Sequence, residues 1–164
     1  MRTKPRIEIR RALLRIAQTQ IGYFTANQAR RAGYSYQAQW YNADRGHWTR
    51  IDRGVYRIAG WPHGEHEDMV RWRLWSGGVG VVSHDSAAEV HELGVLNPVH
   101  VHLTVPPSFA KKAPGVALHA GLLPPEDVTD RDGVRVTTVA RTVFDLATTT
   151  IEIDRLAGVI SDAL

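Results

Sequence analysis

The 164-residue chain has no cysteine. That absence removes disulfides, thiolate zinc sites and cysteine nucleophiles together. It also lacks any run of about 18 apolar residues, and no apolar secretion-signal core lies near Met1, so a cytoplasmic protein with no membrane partner is expected. Neither an internal repeat nor a low-complexity tract is present, and 43% hydrophobic with 23% charged residues is an ordinary globular composition. The most informative shortage is local. Residues 1–58 hold only three acids (Glu8, Asp44, Asp52) against twelve Lys/Arg, a net of +9, whereas residues 59–164 hold fourteen acids against eight bases, a net of −6. The overall +3 conceals this polarity. A unit so basic repels itself unless a polyanion neutralises it, and duplex DNA is the commonest such partner. The charge step divides the chain into an expected basic domain over 1–60 and an acidic domain over 61–164.

What the basic segment contains is a helix-turn-helix pattern. Ile9, Ala12, Leu13, Ile16 and Ala17 recur with helical spacing and end before Gly22. Thr25-Ala-Asn-Gln28 has the form of a capping box opening a short helix with Ala26, Ala29 and Ala32 on one side and Gly33 at its C-cap. Ser35 then caps a third helix from Tyr36 to about Asp44, closed by Gly46. Trp48–Ile51 and Val55–Ile58 alternate as strands around Asp52-Arg53-Gly54, which predicts a hairpin wing with Arg50, Arg53 and Arg57 on or near it. The predicted fold class is α+β: a winged helix-turn-helix followed by a small mixed α/β domain.

On the third helix, Tyr36, Gln37, Trp40, Tyr41 and Asp44 share one face, while Ala38, Asn42 and Ala43 are expected to face the core. Three rings on an outward face are costly in water unless something covers them. Gln37 is placed to pair with an adenine edge, and the rings to pack on thymine methyls or sugars; the blander alternative packs Trp40 or Tyr41 under the wing. The expected DNA-contacting residues are Tyr36, Gln37, Trp40 and Tyr41, with Arg30, Arg31, Arg50 and Arg53 as the basic frame. Arg53, at the wing tip, suits a phosphate or the minor groove.

The acidic half reads as helices over Glu65–Trp75, Ser83–Leu93, Thr137/Thr138–Ala147 and from about Asp154 onward. Strands are expected over Val79–Val82, Val99–Val105, Gly115–Ala120 and a hairpin, Val128–Val136, turning at Asp132-Gly133. No catalytic, cofactor or metal site is expected there. Ser76-Gly-Gly-Val-Gly80 lacks the Lys-Ser/Thr sequel of a phosphate loop. His100 and His102, with His84, His91 and His119 as possible companions, lack carboxylates at metal-ligand spacing. Ser83, Ser86, His84, His91 and Asp85 offer a triad on paper without a nucleophile elbow. Arg141 and Asp145 are spaced as a helix ion pair, and Lys111 and Lys112 sit in a Pro-bounded loop.

The ordered series of short motifs resembles the AbiEi-type antitoxins. Gly22-x-Phe24-Thr25, Ala29-x-x-Ala32-Gly33 and Gly46-x-Trp48-x-Arg50-Ile51-x-x-Gly54-Val55-Tyr56-Arg57 carry the likeness in the basic half. Val82-Ser83-His84-x-Ser86-Ala87-Ala88, His102-x-Thr104-Val105-Pro106, Leu123-Pro124-Pro125-x-Asp127-Val128-Thr129 and Val136-Thr137-x-Val139-Ala140-Arg141-Thr142-x-x-Asp145-Leu146 extend it to about residue 147. The resemblance implies a non-enzymatic antitoxin. Its N-terminal domain would bind double-stranded operator DNA and repress its own operon, and its C-terminal domain would antagonise a cognate nucleotidyltransferase-fold toxin. Where relatives often carry arginine along the recognition helix, this chain has Trp40, Tyr41 and Asn42. Two alternatives stand beside this reading: covalent modification of the toxin by phosphoryl transfer, which rests on Ser76–Gly80, and a plain ligand-responsive transcription factor.

Overall fold

The computed structural model describes residues 5–149 and 151–164, which form two compact units, 1–75 and 76–164. The first unit runs α1 (Arg6–Gln18), β1 (Tyr23–Thr25), α2 (Ala26–Ala32), α3 (Tyr36–Asp44), β2 (Trp48–Asp52), β3 (Val55–Ile58) and α4 (Glu67–Trp75). Its sheet is antiparallel in the order β1-β3-β2, with Tyr23 opposite Arg57 and Trp48 opposite Ile58. The hairpin turns at Arg53-Gly54, where Gly54 takes φ +75° and the Asp52 carboxylate accepts the Arg53 N–H at 2.7 Å. β1, which the pattern did not predict, gives the wing a third strand.

The core of this unit is Leu13, Ala17, Phe24, Ala29, Ala32 and Trp48. Phe24 meets Trp48 edge to face at 4.8 Å, and Trp48 also receives Tyr34 at 4.9 Å. Alanines at positions 29 and 32 let α1 and α2 pack closely. Gly33 continues that close approach: its φ of +124° suits only glycine, and a Cβ there would lie 2.9 Å from Ile9. The capping box forms as predicted, with Gln28 N–H donating to the Thr25 hydroxyl and Thr25 N–H to the Gln28 side chain.

The expected boundary at residue 60 moves to 75, because α4 packs on β1 and β3. Arg57 lies over the Tyr23 ring and bonds to the Pro62 carbonyl (3.0 Å) and the Glu67 carboxylate (3.4 Å). The acids Glu65, Glu67 and Asp68 therefore belong to the basic unit, whose net charge becomes +8 against −5 for residues 76–164.

The second unit contains β4 (Val81–Val82), α5 (His84–Val90), β5 (Val101–Val105), β6 (Val116–Ala120), a 3-10 turn at Pro125–Asp127, β7 (Val128–Arg131), β8 (Val134–Thr137), α6 (Val139–Ala147) and α7 (Ile153–Ala163). The sheet order is β6-β5-β4-β8-β7, parallel at β5/β6 and β4/β8 and antiparallel elsewhere. Asp132 and Gly133 both take positive φ, the type I′ geometry expected of that pair. Ala88, Leu93, Leu96, Leu146 and Val159 form a helical core. Several elements are shorter than predicted: α4 begins at Glu67, β4 at Val81 and α5 ends at Val90. Thr138 caps α6, accepting the Arg141 N–H. Ser83 has N-cap backbone geometry but makes no side-chain cap, because its hydroxyl accepts from Thr104 (2.8 Å) and contacts the His84 ring (2.9 Å) instead.

Candidate nucleic-acid interface

Local chemistry fixes α3 at both its start and its inner face. Ser35 accepts the Ala38 N–H at 3.1 Å. The face turned inward is held by Gln39, a buried residue whose side-chain amide donates to the Ala26 carbonyl at 3.2 Å. This bond ties α3 to the start of α2. Sequence reasoning overlooked Gln39 in favour of Ala38, Asn42 and Ala43, all of which are only half-buried. Asn42 donates along its own helix to the Ala38 carbonyl at 2.7 Å. A polar residue among alanines, on the side opposite the rings, was the available signal.

With Gln39 inside, the predicted outward residues are exposed. Tyr36, Trp40 and Tyr41 are 66%, 69% and 51% accessible, and Gln37 is exposed beside them. The alternative in which Trp40 or Tyr41 packs under the wing is incorrect; Trp48 and Tyr56 occupy that position against Phe24. Two arginines dress the flanking tyrosines. Arg30 stacks over Tyr36 at 4.6 Å and donates to its hydroxyl at 2.7 Å, and Arg45 lies over Tyr41 at 5.4 Å. Trp40 lies between them along the helix. Arg31 on α2 and Arg50 and Arg53 on the hairpin are exposed. Arg57 is not part of this surface, being committed to Glu67 and Pro62. A groove between α1 and α3, lined by Arg6, Ile9, Arg10, Tyr34, Trp40 and Tyr41, borders the aromatic face.

Most of the serines and histidines singled out in the second unit lie in its interior. His84, His102 and His119 come together: the rings of His84 and His119 stack at 3.6 Å, and His102 Nδ1 and His119 Nε2 share a hydrogen bond at 3.0 Å. Burial lowers the pKa of all three, that of His84 to about 3 with further repulsion from His119 and His102. His91 stands apart, its Nε2–H donating to the Thr137 carbonyl at 2.7 Å, and His100 is exposed. Among the described residues no group of three or more His, Asp or Glu is arranged to hold a metal ion. Ser86 accepts the His102 N–H, and Ser76 accepts the Gly80 N–H at 2.9 Å, which closes the glycine loop on itself. Arg141 bonds to Asp145 (2.7 Å) and Asp127 (2.8 Å), so the predicted helix pair is part of a three-residue network.

A capped helix-turn-helix flanked by an antiparallel hairpin, with a basic, aromatic outer surface, defines the first unit as a winged helix-turn-helix. Residues 11–59, from within α1 to just past β3, match the family model described as a transcriptional regulator, AbiEi antitoxin. No curated protein matches the chain. No helix among the described residues is long and apolar enough to cross a membrane.

Proposed function

We propose that the chain is an autoregulatory antitoxin whose first unit binds operator DNA through α3 and the wing. The observation that carries this reading is the exposed Tyr36–Gln37–Trp40–Tyr41 face of α3, on a unit of net charge +8 with Arg30, Arg31, Arg50 and Arg53 around it. Such a helix fits the major groove, the arginines neutralise phosphates, and a wing-tip Arg53 reaches an adjacent phosphate or the minor groove. The family match over residues 11–59 supports the regulatory role. The second unit, with net charge −5, suits a basic protein partner, because opposite potentials speed encounter and fix orientation. Together with the motif likeness this favours antagonism of a nucleotidyltransferase-fold toxin.

The test uses the full chain expressed beside its toxin gene and promoter. Wild type is expected to repress the promoter and relieve toxicity. The Trp40→Ala/Arg53→Ala variant is expected to lose repression while still relieving toxicity. Loss of both together would overturn the division of labour, and intact repression would overturn the DNA face.

A further inference from the structure

The aromatic face of α3 has a feature that general DNA binding does not require. Between Tyr36 and Asp44 the helix carries no Arg or Lys, the side chains that make the commonest base-specific contact, bidentate to guanine O6 and N7. Its outward groups are three rings, one amide and the Asp44 carboxylate, an acceptor that repels the guanine edge and can take a hydrogen bond only from the amino group of adenine or cytosine. The bordering Arg30 and Arg45 are stacked on Tyr36 and Tyr41, on the flanks of the helix where phosphates run. Trp40, 69% exposed, is the large apolar surface left to meet base edges. The only apolar group that a base pair presents in the major groove is the thymine 5-methyl, and the partner adenine offers the N6/N7 edge that a glutamine amide matches.

We infer that α3 reads A·T pairs in the major groove, with Trp40 packed on thymine methyl groups and Gln37 on an adenine edge. This rests on the proposed DNA-binding role. The ligand is an A·T-containing duplex rather than a guanine-rich one, and the +8 charge of the unit favours a polyanion over a neutral or basic protein surface. Burying one methyl against a ring is worth about fourfold in affinity, by the transfer value of a methylene-sized group. The wing works in the same direction, since a narrow A·T minor groove concentrates the negative potential that attracts Arg53.

The experiment selects a duplex from a random library with the full chain and then replaces each thymine in turn by deoxyuridine, which deletes only the methyl. The expected result is an A·T core in the selected site and a loss of about fourfold at one or more of its thymines. Trp40→Ala should cost affinity on the thymine duplex and much less on the deoxyuridine duplex, because the two deletions remove the same contact. Trp40 is too exposed for its loss to threaten the fold, and the base change needs no protein variant. Deoxyuridine duplexes bound as tightly as the thymine ones, or a selected core of G·C pairs, would overturn the inference while leaving the DNA-binding role standing. Failure to enrich any duplex would overturn both, and would point to a protein occupant for this face.

Discussion

The two units handle polar chemistry in opposite ways. In residues 1–75, Arg30 and Arg31 of α2, Tyr36, Trp40 and Tyr41 of α3, and Arg50 and Arg53 of the wing face outward over an apolar core centred on Phe24 and Trp48. In residues 76–164 the groups that look reactive in sequence are turned inward: Ser83 on Thr104, His84 on His119, His91 on Thr137, and Arg141 between Asp127 and Asp145. These hydrogen bonds satisfy hydroxyls and imidazoles that would otherwise be buried without a partner, which costs free energy. The contrast teaches that exposure, more than residue type, separates the candidate binding residues from the structural ones.

The largest expected effect breaks the first unit alone. Phe24, fully buried against Trp48 and Tyr56, should cost about 3–5 kcal/mol when replaced by alanine. Calorimetry should show the melting of the winged helix lowered and DNA binding lost, with the transition of residues 76–164 unmoved. Joint collapse of both transitions would remove the basis for treating the units separately.

Arg141→Ala probes the other side. It strands the buried Asp145 carboxylate, one of whose oxygens already lacks a hydrogen-bond partner. Because the Arg141 side chain is 21% accessible, the loss should be about 2–3 kcal/mol, below the ~3–5 kcal/mol of a fully buried pair. Chemical denaturation should register it with DNA affinity unchanged. Within the first unit, Gln37→Ala should relax the preference at particular base pairs by about 1–3 kcal/mol. Arg53→Ala should weaken all duplexes alike and reduce the salt slope by about one ion. A selection experiment in which Gln37→Ala keeps the wild-type preference would refute the recognition-helix assignment.

Alongside these substitution effects stands a pH dependence of the second unit. Burial disfavours the charged forms of His84, His102 and His119, with Asp85, Asp145, Arg141 and His100 as the surrounding charges. For His84 the unfolded chain takes up a proton near pH 6.5 and the folded chain only near pH 3. The His84 contribution is therefore complete above pH 6.5 and declines as pH falls through that window, by at most about 1.4 kcal/mol per pH unit, and the lowered pKa values of His102 and His119 act in the same direction. His84→Phe should flatten the decline measured by urea titration at a series of pH values.

What the sequence made legible was local. The Thr25–Gln28 box, the Ser35 and Thr138 caps, and the Gly54 and Asp132-Gly133 turns each depend on residues within four positions of one another. The outward face of α3 was also readable, since helical spacing alone separates Trp40 from Ala38. What stayed hidden was long-range. β1 is three residues long and exists because β3 pairs with it. Gln39 earns its burial from a carbonyl thirteen residues away. The placement of α4 depends on packing against β1 and β3, which a charge step cannot reveal, and the three histidines meet only because α5, β5 and β6 do.

If the basic face of residues 1–75 is a DNA surface, duplex affinity must fall steeply as salt is raised. Each neutralised phosphate releases counterions, so six contacts predict a fall of about 10³ or more in affinity between 50 and 200 mM salt. A shallow slope, near one ion, would contradict the account, because the arginines around α3 and the wing would then not be facing phosphates.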